Sequence, residues 1–313
     1  MGMEEGALRV VGTCLAVKEG ERVAIIADAG TRSVGEALFG AALGAKGEAI
    51  LVLIAPPAQA GEEPPEPVEG LMADCNVVIL ATSQSMTHTA ARRRANRAGA
   101  RIASLPEVAE DMMSEGALTA DYEEIQRTTR RLERMLRGAR SVRLASPLGS
   151  DVTFDVTRRD WVTGDTGVCH RSGDFTTLPA GEIFVAPVEG SADGRFVFDA
   201  RFHVRLDSPA SVIVKEGHAS KVTGAPEAVA AMNRGGKDGR NFGKFGMGLN
   251  PKARITGRLL EEEKVLGAVH IVFGDNAAFG GAIRCGVRVD AILTQATVEV
   301  DGKTILERGA LTF

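Results

Sequence analysis

"RVAIIADAGTRSVGEALFGAALGAKGEAILVLIA", residues 22–55, holds two short apolar runs, RVAIIAD (22–28) and AILVLIA (49–55), on either side of SVGEALFGAALGAKG (33–47), a segment of helical period. Apolar runs of this length, bounded by turn residues, read as strands, and the spacer is long enough for a crossover helix. The unit returns downstream, where NVVILAT (76–82) and ARIASLP (100–106) flank HTAARRRANRAG (88–99). Strands alternating with helices pair in parallel through right-handed crossovers. The fold class predicted here is therefore α/β, with an N-terminal doubly wound, mainly parallel layer. PPAQAGEEPPEPVEG (56–70) reads as a Pro/Glu-rich surface loop, and a helical stretch over roughly 121–138 leads out of the layer.

From SVRLASPLGSDVTFDV onward the texture changes to strands with glycine-rich turns, among them GEIFVAPVEG, GRFVFDARFHV, SVIVKEGH, GAVHIVFG and DAILTQATVEVDGKTIL, interrupted by one helix, APEAVAAMNR (225–234). The reading is two domains, 1–140 as the α/β layer and 141–313 as a β-rich α+β domain.

A dinucleotide site is the first expectation for such a layer, and the sequence argues against it. After the strand ending at Asp28 the chain reads DAGTRSVG, without the G-x-G-x-x-G spacing that lets backbone approach a pyrophosphate. In ATSQSMTHTAARRRA (81–95) hydroxyls follow a strand end and His88 opens a helix. Helix N-termini favour anions, although Thr87 or Thr89 acting as an ordinary cap explains the same residues.

The 313 residues carry a formal net charge of −4 and 44% hydrophobic content, an ordinary globular composition. The Arg-rich stretch 127–143 is interleaved with Glu133, Leu and Met and reads as a solvated helix face, so no nucleic-acid partner is expected. No leader pattern and no long apolar span is visible; a cytoplasmic protein without membrane contact is expected. Cys14, Cys75, Cys169 and Cys285 lie far apart without a C-x-x-C, which suits isolated thiols in a reducing compartment.

The second domain carries the chemistry. LPAGEIFVAPVEG (178–190) puts Glu182 at a strand entry and Glu189 at its exit, and GAVHIVFG buries His270 in an apolar run. Each needs a partner, a cation or a shifted pKa.

With GMGLNPKA, EKVLGAVHIVFGDNAAFGG and VDAILTQATVEVDG following in order, and with CLAVKEGERVAIIAD, TSQSMTHTAARRRA and GARIASLP in the first domain, the chain resembles the thermophilic metallopeptidase family of aminopeptidases T and S, including the relative 2,5-dihydroxypyridine 5,6-dioxygenase. That resemblance implies a homo-oligomer, expected as a dimer, and a site of two divalent metals held by two glutamates, two histidines and an aspartate with a tyrosine nearby. Glu182, His270 and Asp290 match the first glutamate, the first histidine and the aspartate. Lys244 stands at the second glutamate, Arg288 at the second histidine and Ala277 at the tyrosine. The dioxygenase relative implies one iron on two histidines and an aspartate, and Arg288 breaks that set too, since a guanidinium does not give up its proton to become a ligand.

The substitutions are not neutral in charge. Lys244 and Arg288 can neutralise Glu182 and Asp290 in a poorly solvated pocket, and residues two apart on a strand face one way, so Arg288 and Asp290 can look in together. The expected site is Glu182, His270, Asp290, Arg288 and Lys244 with no cofactor. The alternative is one zinc, cobalt or iron on Glu182, His270 and Asp290, with Glu262, Glu263, Asp275 and His170 as further donors. The leading functional expectation is a hydrolase-like protein of the aminopeptidase group acting on a small amide or short peptide; a ring-cleaving dioxygenase and a repurposed binder of a small anion are the alternatives. Cys169 and His170 form a further candidate pair of nucleophile and base.

Overall fold

The computed structural model describes residues 2–313. The runs read as strands become Arg22–Asp28, Glu48–Ile54, Val77–Ala81 and Arg101–Ser104, all paired in parallel. In space Glu48–Ile54 and Val77–Ala81 flank Arg22–Asp28, so the winding reverses beside the first strand. Crossover segments contain the helices Arg32–Gly44, Glu66–Asp74 and Ala90–Arg97. Strand alternation divides the apolar residues between two faces: Val23, Ile25 and Val77 pack with Leu38, while Ala24, Ile26, Val78 and Leu80 pack with Met72 and Ala95. The Pro/Glu-rich stretch is loop only as far as Pro65, where a helix begins.

A fifth parallel strand, Phe175–Thr177, pairs with Arg101–Ser104. It is three residues long and carries two threonines, too little pattern to read as a strand. Its position also revises the organisation. The chain forms two interleaved compact units, one running to Arg127 and taking back Asp165–Gly181 and Asn250–Arg254, the other made of Thr128–Gly164, Glu182–Leu249 and Ile255–Phe313. A single cut near residue 140 is replaced by a division inside the helix Tyr122–Leu136 and by two returns to the first unit. Asn250 anchors one return, its amide donating to the Ala117 and Ala180 carbonyls at 3.1 and 3.0 Å.

The second unit is built from two antiparallel sheets. In the larger, the ladder runs from His218–Thr223 to Ala310–Leu311; the smaller has the spatial order Val204–Arg205, Arg201–Phe202, Arg288–Leu293, Val269–Gly274, Phe242–Gly248, Glu182–Val185. Val142, Phe154, Phe196 and Val212 of the first sheet share one core with Ile183, Phe245, Ile271 and Val289 of the second. Phe242 packs edge-on against Phe154, with ring centroids 5.1 Å apart. Because strand residues alternate in facing, the core positions Ile183, Phe245, Met247, Val269, Ile271, Val289 and Ala291 commit Glu182, Lys244, Gly246, His270, Arg288 and Asp290 to the other face of the smaller sheet. Among the described residues no helix is long and apolar enough to cross a membrane.

Candidate functional site

Register brings that second face into one row. Gly246 lies opposite His270, Gly248 opposite Glu182, and Val272 opposite both Lys244 and Asp290. Two of the glycines are there for clearance. A Cβ on Gly246 would stand 2.0 Å from the His270 ring, so the imidazole lies directly over this residue. A Cβ on Gly248 would stand 2.1 Å from the Val265 carbonyl oxygen, which lets the chain after the helix Leu259–Glu262 cross the sheet and deliver Glu263 and Lys264.

The outcome is three carboxylates interleaved with three cations. Lys264 Nζ lies 2.6 Å from Glu182 Oε1 and Lys244 Nζ 3.2 Å from Glu182 Oε2. Arg288 forks, with Nη2 on Glu263 Oε1 and Nε on Asp290 Oδ1, both at 2.7 Å. Lys244 also sits 4.2 Å from the centroid of the Phe184 ring, and Phe279 closes the same corner against Phe184 at 5.7 Å between centroids. Glu182, Lys244, Glu263, Lys264 and His270 are buried; the Arg288 side chain is 43% exposed and that of Asp290 13%. Those two residues are where the cluster meets solvent.

Burial alone would raise the Glu182 pKa, but the charges of Lys244 and Lys264 outweigh it and hold the carboxyl well below the usual range. Glu263 is likewise held down, by Lys244, Lys264 and Arg288 against burial and the Glu182 charge. Asp290 goes the other way: burial, with the Glu263 charge beside it, raises its pKa in spite of Arg288. Burial and then the Lys244 charge depress His270, which is therefore neutral. Its Nε2 is 2.7 Å from Glu182 Oε2, yet neither ring nitrogen has a partner in hydrogen-bond geometry.

All five residues expected at the site thus meet on one sheet face. The sequence offers Glu263 only as a further donor and gives Lys264 no role; the charged run EEEK (261–264) has the composition of a solvated surface, yet all four of its residues are buried. The other spare donors lie elsewhere. Glu262 pairs with Arg201 at 2.7 Å, and Asp275 accepts from the Cys285 backbone N–H. Cys169 is fully buried, its Sγ directed to the Ile102 carbonyl and its pKa pushed by burial to about 12, while His170 Nε2 meets the Thr13 carbonyl. With its thiol held protonated and the ring engaged elsewhere, that pair is not an activated nucleophile. At the helix Ala90–Arg97 the first free N–H groups are taken by the Glu63 carboxylate, and Thr89 Oγ1 caps Arg92 N.

The family of 2,5-dihydroxypyridine 5,6-dioxygenase, NicX, matches residues 7–313. This chain belongs to the NicX family. In fold it is similar to the 2,5-dihydroxypyridine dioxygenase of Pseudomonas putida KT2440, with a TM-score of 0.76 and 19% identity over 99% of this chain and 96% of that one. Wild-type AmpT of Thermus thermophilus is similar over 99% of both chains, with a TM-score of 0.69 and 15% identity. No curated protein sequence matches the chain. The aminopeptidase and dioxygenase branches of the resemblance are thus both represented among relatives of the same fold.

Whether this NicX-family chain suits the metal that the resemblance implies is decided by its donors. A divalent ion needs carboxylate oxygens and imidazole nitrogens that converge without a competing charge. Here both oxygens of Glu182 are engaged by ammonium groups, and one guanidinium bridges Glu263 and Asp290. An ion added to that volume would lie against three fixed cations. The residues as arranged do not fit a divalent metal.

Proposed function

We propose that this is a metal-independent member of the NicX family, in which Lys244, Lys264 and Arg288 hold the carboxylates in place of a metal and a small anionic molecule is handled where Arg288 and Asp290 reach solvent. One observation supports the reading above the others: three buried or half-buried acids are matched by three cations that engage them directly. An incoming anion meets a guanidinium fork beside a carboxyl of raised pKa. Arg288 would orient the anion and Asp290 would give or take the proton, the pairing that general acid–base chemistry requires.

The test is metal content and stability together. Protein prepared with iron, zinc or cobalt supplied should carry no stoichiometric metal, and its melting temperature should be the same before and after chelation. One metal per chain, with a melting temperature that drops on chelation and a His270→Ala variant that loses both effects, overturns the reading.

The family match over residues 7–313 favours a second reading, an oxygenase acting on a dihydroxypyridine-like ring. Oxygen uptake with 2,5-dihydroxypyridine tests it, and hydrolysis of an aminoacyl anilide with added cobalt tests the hydrolase alternative. For either activity a Glu182→Ala control shows whether the turnover belongs to this site.

A further inference from the structure

The segment Asp275–Gly286 joins the His270 strand to the Arg288 strand, and it carries Phe279 to the cluster. The Phe279 ring makes the edge contact with Phe184 and lies 5.3 Å from Lys244 Nζ and 5.6 Å from Arg288 Cζ. Buried Asn276 knots the segment: its Oδ1 accepts from Ile283 N at 2.7 Å, and its backbone carbonyl accepts from Phe279 N and Gly281 N. A Cβ on Gly281 would fall 2.1 Å from the Asn276 amide, so the return of the chain is wrapped tightly around that side chain.

Two side chains outside the segment hold this knot in place. Glu189 Oε1 accepts from Asn276 Nδ2 and from Ala282 N, each at 2.8 Å. Arg159 donates from Nη1 to the Gly280 carbonyl at 2.7 Å and pairs through Nη2 with Glu189. The side-chain hydrogen bonds and ion pair of Glu189 and Arg159 run to the segment and to each other and not to the ionic cluster. Their interactions with the segment are charge-assisted and specific to its folded course.

We infer that Asp275–Gly286 is a cover over the ionic cluster, and that Glu189 and Arg159 are positioning residues that act on the site by holding Phe279 against Phe184 and Lys244. The inference rests on the reading of the cluster as the functional site, and it adds how access to the cluster is controlled. With the latch engaged, Lys244 is shielded by two rings; with the latch released, Phe279 leaves and Lys244 opens beside the already exposed Arg288.

Amine labelling of the full chain with trinitrobenzenesulfonate, mapped by peptide mass spectrometry, reads the cover directly. In Glu189→Ala the Lys244 amine should react roughly tenfold to a hundredfold faster than in wild type, the factor expected for losing one or two hydrogen bonds to a charged group. Backbone hydrogen exchange at Ala282 and Ile283 should rise with it, while exchange in the strand Val269–Gly274 stays at the wild-type rate. Glu189→Gln keeps a carbonyl oxygen for Asn276 and Ala282 and should return labelling most of the way. Phe279→Ala, which leaves the latch intact, should expose Lys244 as Glu189→Ala does. Unchanged Lys244 labelling in both variants, or labelling that rises only together with exchange in Val269–Gly274, overturns the inference. Metal analysis is indifferent to all of these outcomes, so failure of the cover and failure of the metal-independent reading are separate results.

Discussion

Replacing Lys244 by methionine keeps the length and apolar stem of the side chain and removes one charge from a balanced set of three acids and three cations. Breaking a fully buried ion pair costs about 3–5 kcal/mol. Glu182 retains Lys264 at 2.6 Å, which places Lys244→Met at the low end, at about 3 kcal/mol. The remaining imbalance has a remedy inside the cluster. His270 is neutral in the wild type because burial and the Lys244 charge depress its pKa; wild-type folding is therefore penalised as pH falls beneath the ordinary histidine value, where the unfolded chain binds a proton that the native one does not. Without Lys244 the Glu182 carboxylate at 2.7 Å dominates and the His270 pKa rises. The variant should thus recover stability as pH falls through that raised value, opposite in sign to the wild type. Urea titrations followed by Trp161, which packs edge-on to Phe245 within the second unit, should show the deficit at about pH 8 shrinking by roughly 1 kcal/mol at about pH 6. Adding His270→Ala should abolish the recovery. A deficit at the higher pH no larger than the ~1 kcal/mol of an exposed ion pair, or one independent of pH, would refute the reasoning.

Arg288→Ala should cost less, roughly 1–2 kcal/mol in the same titration, because one side of the guanidinium is solvated; Arg288→Lys should fail to restore it, since an ammonium cannot fork between Glu263 and Asp290. The double change Lys244→Glu with Arg288→His removes two cations and supplies the carboxylate and imidazole implied by the resemblance, so thermal melts of that variant should rise with added zinc or iron while wild-type melts do not move. Gly246→Ala drives a methyl into the His270 ring and should destabilise by about 1–3 kcal/mol. Combined with His270→Ala, most of that loss should vanish, a non-additivity that a double-mutant cycle measures directly.

The parallel layer was legible because a buried strand writes itself as a continuous apolar run, and the run 22–28 coincides with Arg22–Asp28. The strand Phe175–Thr177 was not, because its partner and not its composition makes it a strand. At the site, Glu182, Lys244, His270, Arg288 and Asp290 could be placed on one face by strand alternation together with the resemblance. Lys264 and the bridging role of Glu263 could not, since they reach the sheet from a short helix whose crossing point is set by the clearance over Gly248. Burial of four consecutive charged residues is a tertiary fact that no local pattern announces.

The interleaving of the two units has a consequence for synthesis. A chain emerging N-terminus first presents the four strands between Arg22 and Ser104 early, but the edge strand at Phe175–Thr177 and the clasp at Asn250 belong to the same unit and emerge much later. At about 5–20 residues per second, the wait between Arg127 and Arg254 is on the order of ten seconds. Until Phe175–Thr177 emerges, in the first part of that wait, the Arg101–Ser104 edge stands open with its ladder unsatisfied, a template for pairing with a neighbouring nascent chain. Completion of the N-terminal unit is therefore deferred until most of the C-terminal unit has been made, and a ribosome that stalls before Phe175 releases a fragment with an unguarded sheet edge.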